Sequence, residues 1–142
     1  MIADRVLARL TQIPGALSLW CRFPHGQLSI RVRYGIFDRP HYAYGVYSAA
    51  VLAKQLGLDA ISVVELGVAG GRGLLALERI AKTVGDDCGI QVHVTGFDSG
   101  KGMPPPTDYR DLAHVWEQGF YAMDPTKLKL NSRPAPTLSS AT

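Results

Sequence analysis

The chain is poor in the residues that build metal sites and disulfide frameworks. It has two cysteines and four histidines in 142 residues. Cys21 and Cys88 lie far apart in the sequence, so we expect both to be reduced, buried thiols in a cytoplasmic protein. The histidines show no HxH or HxxxH spacing. We therefore predict no metal site.

Long apolar runs and concentrated charge are also missing. No apolar run approaches the ~18 residues of a membrane span, and the N-terminal MIADRVLARLTQIPG is amphipathic, unlike a signal peptide. The net charge is only +3. Because the arginines of residues 1–40 are scattered, they favour a solvated surface over a nucleic-acid face. We therefore expect neither a membrane nor a nucleic acid among the partners.

The middle of the chain has a strand–loop–helix–strand pattern. ISVVEL, residues 61–66, is rich in β-branched residues and lacks a helical period, which is typical of a parallel strand buried on both faces. After a glycine-rich loop, apolar residues at helical spacing end near Gly85, and IQVHVTGFD, residues 90–98, forms a second strand. The predicted fold class is α/β, a Rossmann-like parallel sheet with flanking helices. Ligands of such sheets bind at the edge where the strands end.

The N-terminal residues 1–40 are predicted to form a separate small unit. Apolar residues at helical spacing predict a helix over 3–12, which ends at Pro14-Gly15. Alternating apolar and polar residues in SIRVRY, residues 29–34, predict a half-exposed strand and, with PHG as the turn, a hairpin.

The predicted ligand-binding half-domain covers residues 41–130. It begins with a helix over 42–56, for which Gly57 is the C-cap glycine. Near its end, Asp124 followed by proline is typical of a helix N-terminus. The Pro/Ser/Thr-rich residues 131–142 are expected to be disordered.

The glycine loop VVELGVAGGRGLL, residues 63–75, is compatible with two ligand chemistries. GRGLLA, residues 71–76, fits the GxGxxA pattern that places a pyrophosphate on a helix N-terminus. That fit begins six residues after Glu65, and a carboxylate there would repel a diphosphate by ~1–4 kcal/mol. S-adenosylmethionine carries no phosphate. Glu65 can receive its ammonium group directly or through water, and Asp98 can accept hydrogen bonds from both ribose hydroxyls.

The residues between these acids suit a close approach of the ligand to the backbone. Gly67, Ala69, Gly70 and Gly71 have small side chains or none. Dinucleotide sites also use an acid at the position of Asp98, so Glu65 with Gly67 is the pair that discriminates. The alternative is that the glycines only make a tight turn and the acids are solvated.

VVELGVAGG followed by VTGFDSGKGMPPP resembles the class I S-adenosylmethionine-dependent methyltransferases. The nearer resemblance is to the subgroup related to macrocin O-methyltransferase, whose D-S/T-x-x-G-x-P run is here Asp98, Ser99, Gly102 and Pro104. The resemblance covers about residues 40–130. The cofactor-binding residues that it implies are Glu65, Gly67 and Gly71 at the methionine end, Asp98 and Ser99 at the ribose, and the loop residues Val68 and Ala69. It also places Tyr42, Tyr44 and Tyr47 where such enzymes close over the cofactor, with simple packing as the alternative.

The resemblance covers only the N-terminal half of a seven-stranded fold, so we assign no catalytic residue and expect a truncated protein. The expected function is the S-adenosylmethionine-binding portion of a methyltransferase that O-methylates a small molecule and has little or no activity alone. Open sheet edges are expected to promote self-association. The alternatives are a fragment of a nicotinamide-dinucleotide-binding oxidoreductase and a non-catalytic α/β remnant that serves as an interaction module.

Overall fold

The computed structural model describes residues 7, 9, 11–124 and 126, and the backbone of 137–140. The elements are helices α1 (Ala16–Arg22), α2 (Leu28–Arg33) and α3 (Pro40–Gln55), strand β1 (Ala60–Leu66), helix α4 (Arg72–Cys88), strand β2 (Gln91–Asp98), a 3-10 helix (Tyr109–Asp111) and strand β3 (Thr137–Ser140). The three strands form one parallel sheet in the order β1–β2–β3. The chain is therefore an α/β protein with a parallel sheet and flanking helices.

The predicted strand–loop–helix–strand unit is present. β1 and β2 pair along their whole length, from Ala60 opposite Gln91 to Leu66 opposite Phe97, so their C-terminal ends lie at one edge. Helix α4 continues past the predicted end at Gly85 to Cys88. Gly85 therefore does not end the helix. A glycine is required there because a Cβ would lie 2.9 Å from the Ile90 carbonyl oxygen. It lets the chain turn back closely against the helix.

The core lies between two helices and one face of the sheet. α3 contributes small side chains and α4 larger ones, which pack against the half-buried valines and isoleucine of β1 and β2. The main buried members are Ala43, Val46, Ala50, Leu77, Ile80 and Val84. This layer fixes the sheet edge at which β1 and β2 end.

No described part of the chain covers the opposite face of the sheet along β1. Residues of β1 alternate between exposed and half-buried, and Val64 and Leu66 are 51% and 80% exposed. The prediction that β1 is buried on both faces is therefore wrong. An apolar β-branched run has the same composition whether one or two layers cover it.

The predicted N-terminal hairpin is also wrong. SIRVRY belongs mostly to helix α2, in which Leu28 and Val32, four positions apart, share the buried face. The pattern fits both periods because Leu28, Ile30 and Val32 alternate with polar residues, while Leu28 and Val32 are also about one helical turn apart. Cys21 is exposed rather than buried, whereas Cys88 is buried as predicted, and both thiols are free. Most of the predicted helix over 3–12 lies outside the described residues.

Helix α3 confirms the helix predicted over 42–56, with Gly57 left-handed (φ 72°) just after its end. Asp124 Oδ1 accepts the Thr126 N–H at 3.0 Å, as expected of an N-cap, although the helix beyond lies outside the described residues. Residues 137–140 pair with β2, contrary to the predicted disorder of 131–142. Within the described chain, no helix combines the length and hydrophobicity needed to span a bilayer.

Candidate functional site

Asp98, the last residue of β2, fastens the glycine loop that follows β1. Its Oδ2 accepts the backbone N–H groups of Val68 at 2.7 Å and Ala69 at 2.9 Å, and its Oδ1 accepts that of Gly100 at 2.7 Å. The loop after β1 and the loop after β2 are thus joined through one carboxylate. Hydrogen bonds to an ionised acceptor are about twice as strong as neutral ones, so this contact is a principal support of the loop.

These bonds also set the charge and the remaining capacity of Asp98. Burial alone would raise the pKa of Asp98, but the N–H groups of Ala69, Gly100 and Val68 together lower it below its ordinary value. The group is therefore ionised at neutral pH. A carboxylate has about four acceptor positions, of which the loop takes three. One position remains for a further donor.

The loop follows a strongly curved path that suits its small residues. Gly67, Ala69 and Gly71 all have left-handed backbones, with φ of 80°, 47° and 77°. The Gly67 N–H donates to the Phe97 carbonyl at 2.8 Å, which ties the start of the loop to β2. Ala69 has a Cβ and pays about 1–2 kcal/mol for this conformation, a strain that its bond to Asp98 offsets.

The side chain of Val68 points into the protein rather than toward the sheet edge. Val68 is 4% exposed and packs with Leu74 of α4 in a small second core. Gly96 of β2 makes room for both, since a Cβ there would lie 2.7 Å from Val68 Cγ2 and 2.9 Å from Leu74 Cδ2. Sequence reasoning missed Gly96. A glycine inside a strand pattern was the available signal, because it often marks such a close approach.

Glu65 and Asp98 lie on the same face of the sheet. Glu65 pairs in register with Gly96, and Asp98 follows Gly96 by two positions on β2. Successive side chains alternate between faces, so residues two apart share a face. Both acids therefore stand at the C-terminal edge, on the side that helix α4 covers. Ser99 follows them but is exposed, and its Oγ accepts the Lys101 N–H at 3.3 Å.

The Glu65 carboxylate is held between a tyrosine and a glycine. The Tyr42 hydroxyl of α3 donates to Glu65 Oε1 at 2.8 Å. On the other side lies Gly73 of α4, where a Cβ would overlap Oε1 and lie 3.0 Å from the Glu65 Cδ. The sequence had indicated Gly73 as one of the loop glycines and as part of the GxGxxA pattern. Its role in the structure is to leave room for the carboxylate.

The second carboxylate oxygen is not satisfied by the described residues. Glu65 Oε2 is buried and has no hydrogen-bond partner among them. A buried acceptor without a donor costs about 1–3 kcal/mol. The hydrogen bond to Glu65, together with burial and the carboxylate charge, raises the pKa of Tyr42, so the phenol remains protonated and can donate. The site therefore offers a negative charge that a neutral donor only partly satisfies.

Glu65 and Tyr42 line a groove of about 510 Å³ between α3 and the open edge of β1. Of the other tyrosines on α3, Tyr44 is 65% exposed, and Tyr47 packs against the main core. The structure thus separates the tyrosines that the sequence grouped together. Tyr42 is the one that hydrogen-bonds to Glu65, a predicted site residue, in the described structure.

The D-S-x-x-G-x-P run is fixed at its glycine. Gly102 has a φ of 76°, and a Cβ there would lie 2.5 Å from the carbonyl oxygens of both Gly119 and Phe120. Met103 exchanges two backbone hydrogen bonds with this segment, donating to Phe120 O at 2.7 Å and accepting from Gly119 N–H at 2.9 Å. The loop after Asp98 is therefore pinned a few residues beyond the site.

The described residues contain no cluster of three or more His, Cys, Asp or Glu side chains that could hold a metal ion. The acids at the sheet edge face backbone N–H groups and a phenol instead. In comparisons with protein-family models, curated proteins and solved structures, the chain matches none. What the site binds must therefore be inferred from the chemistry of this sheet edge.

Proposed function

We propose that the chain is the S-adenosylmethionine-binding portion of a class I methyltransferase that O-methylates a small molecule and turns over little by itself. The observation that carries this proposal is the arrangement of two carboxylates, Glu65 and Asp98, on one face at one sheet edge, on either side of the glycine loop. An ammonium group and a ribose diol are the donors that such a pair would receive.

The acceptor groups of this site fit S-adenosylmethionine better than they fit a dinucleotide. Glu65 Oε2 is a buried acceptor without a described donor, and an ammonium supplies three N–H donors and a positive charge. A pyrophosphate would instead meet the negative charge of Glu65. When bound, the cofactor supplies the methyl group of its sulfonium. The residues of this chain would hold its methionine and ribose ends.

The strand order supports the half-domain part of the proposal. In the described chain β2 lies between β1 and β3, which matches the 3-2-1 portion of the doubly wound order 3-2-1-4-5-6. The free edge of β1 is the position of the fourth strand in that order. The uncovered face of the sheet would likewise receive helices in a complete doubly wound fold.

Titration of the purified chain with S-adenosylhomocysteine and, separately, with NAD tests the ligand. We expect calorimetry to detect the first and not the second. Glu65→Gln should weaken S-adenosylhomocysteine about tenfold or more, because a charge-assisted contact is replaced by a neutral one. Tyr44→Phe is the matched control, since Tyr44 is an exposed side chain of α3, and its affinity should equal that of the wild type.

Two results would reject this proposal in favour of the alternatives. NAD binding without S-adenosylhomocysteine binding would indicate an oxidoreductase fragment. A folded chain that binds neither compound would indicate a non-catalytic α/β module.

We further propose that two copies associate through the open edge of β1. β1 is an outer strand of the described sheet, and an unpaired strand edge is a template for pairing with another chain. Val64 and Leu66 are exposed on the uncovered face beside this edge. Sedimentation velocity should show concentration-dependent dimers, and Val64→Lys with Leu66→Lys should shift the population to monomers. Tyr109→Lys, at another exposed site, is the control. A wild-type chain that stays monomeric at high concentration would contradict the proposal.

A further inference from the structure

We propose that Tyr42 is a positioning residue, which orients the Glu65 carboxylate for the ammonium group of an amino-acid-bearing ligand. This inference rests on the proposed function and assigns a role to a residue outside the glycine loop. Tyr42 and Glu65 are 23 positions apart in the sequence, and their side chains meet at 2.8 Å. No motif connects them, so only the packing of α3 beside β1 brings them together.

The Tyr42 ring is itself held in place from two directions. The His41 ring meets it edge-on, with centroids 4.7 Å apart and an interplanar angle of 80°. The Arg39 guanidinium lies 5.3 Å from its centroid, within the range of a cation–π contact. A fixed ring gives its hydroxyl a fixed position. The hydroxyl therefore restricts rotation of the Glu65 carboxylate instead of following it.

The Tyr42 hydroxyl donates a hydrogen bond to one oxygen of this carboxylate without neutralising its charge. The phenol donates one hydrogen bond and carries no charge, whereas a lysine or arginine would cancel the negative charge of Glu65. No ion pair in the described part of the chain includes Glu65, and its Oε2 has no donor there. The pair thus keeps its negative charge for a cation. Shielding from water strengthens the attraction.

The groove beside β1 gives such a cation a route to the pair. Tyr42 and Glu65 both line it, and Gly45 and Ala49 of α3 add little side-chain volume to its wall. An ammonium that enters along α3 would meet the carboxylate next to the tyrosine hydroxyl. The chemical class of ligand for this pair is therefore a primary ammonium, which in the proposed function belongs to the amino-acid end of the cofactor.

The test compares two ligands that differ in that ammonium. S-adenosylhomocysteine carries the amino-acid end, whereas 5′-methylthioadenosine has the same nucleoside and sulfur without it. The wild type, Tyr42→Phe, Tyr44→Phe and Glu65→Gln are each titrated with both compounds by calorimetry. The readout is the ratio of the two affinities within one protein sample, which is independent of the folded fraction of that sample.

Tyr42→Phe keeps the aromatic ring and removes only the hydroxyl. It should weaken S-adenosylhomocysteine about tenfold, the effect of one hydrogen bond to a charged group, and leave 5′-methylthioadenosine unchanged. Glu65→Gln should change the ratio in the same direction, and Tyr44→Phe should not change it.

The outcomes separate this inference from the proposed function. An unchanged ratio in Tyr42→Phe, with S-adenosylhomocysteine still bound, overturns the positioning role alone. An equal loss for both ligands also overturns it, because it indicates a structural effect. Tighter binding of S-adenosylhomocysteine would mean that the hydroxyl competes with the ligand. A wild type that binds neither compound overturns the proposed function and this inference together.

Discussion

Gly96→Val is expected to lower the free energy of unfolding by about 3 kcal/mol, at the upper end of the usual cost of overpacking a core. Even a single Cβ at this position would lie 2.7 Å from Val68 Cγ2 and within 2.9 Å of Leu74. Both neighbours are buried, at 4% and 0% exposure, so the valine fits only if these packed side chains are displaced. Urea unfolding followed by circular dichroism measures the loss.

Two opposing effects determine the sign of this prediction. Valine is a better strand residue than glycine, and the full range of strand propensities spans about 1 kcal/mol. The overlap with Val68 and Leu74 is larger and therefore decides. Gly70→Ala is the control, because a Cβ there meets nothing within 4 Å, and its stability should lie within about 0.5 kcal/mol of the wild type. A Gly96→Val variant as stable as this control would contradict the packing described.

The same substitution connects stability with the candidate site. Val68 packs against Gly96 through its side chain and donates its backbone N–H to Asp98. A side chain at position 96 that displaces Val68 must therefore also disturb the Asp98 contact. Gly96→Val should lose affinity for S-adenosylhomocysteine beyond what its unfolded fraction explains.

The sequence predicted the sheet edge well because its signals are local. The β-branched run before Glu65, the glycines after it and the second strand ending on Asp98 each occupy consecutive positions. Parallel pairing then follows from the helical connection between the strands. The glycines with left-handed backbones also lie where a tight turn requires them.

The parts that sequence reasoning missed depend on residues distant in the chain. Gly96 is needed because Val68 and Leu74 leave no room for a Cβ. The Glu65 carboxylate is positioned by the Tyr42 hydroxyl and by the space that Gly73 leaves. Periodicity within one segment carries no information about such pairs. Leu28 to Arg33 was misassigned for the related reason that six residues satisfy the periods of a strand and a helix at once.

The role of Asp98 was predicted only in part. An acid at a strand end can bind a ligand, be solvated, or accept hydrogen bonds from backbone N–H groups of neighbouring loops. The three N–H contacts select the last of these, and the unused acceptor position keeps the first open. Asp98 therefore supports the loop in the structure. In the proposed function, its unused acceptor position also contacts the ligand.

Asp98→Asn should cost about 2–4 kcal/mol of stability at pH 7, since hydrogen bonds to charged groups contribute roughly 1.5–3 kcal/mol each and are not additive. Asparagine offers one carbonyl oxygen and an amide NH₂ group. The NH₂ group must face at least one of the backbone N–H donors of Val68, Ala69 and Gly100. The glycine loop then loses part of its support, and S-adenosylhomocysteine binding should fall with it.

The pH dependence of this cost has a definite sign. The pKa of Asp98 in the folded chain lies below its ordinary value, which is about 3.9 in the unfolded chain. Its stabilising contribution is therefore complete above the unfolded pKa and is lost as the pH falls through the folded one. The stability difference between wild type and Asp98→Asn should be constant from pH 7 to about 5 and shrink below about 4.

Urea unfolding of both proteins between pH 3 and 7 measures this difference directly. The wild type has other carboxylates with lowered pKa values, those of Asp108 and Asp111, which also reduce its stability in acid. Both proteins contain them, so their effect cancels in the difference. Asp108→Asn should show no comparable loss at pH 7, because Asp108 bonds only within its own exposed turn. A wild type no more stable than Asp98→Asn at pH 7 would show that the loop does not depend on this carboxylate.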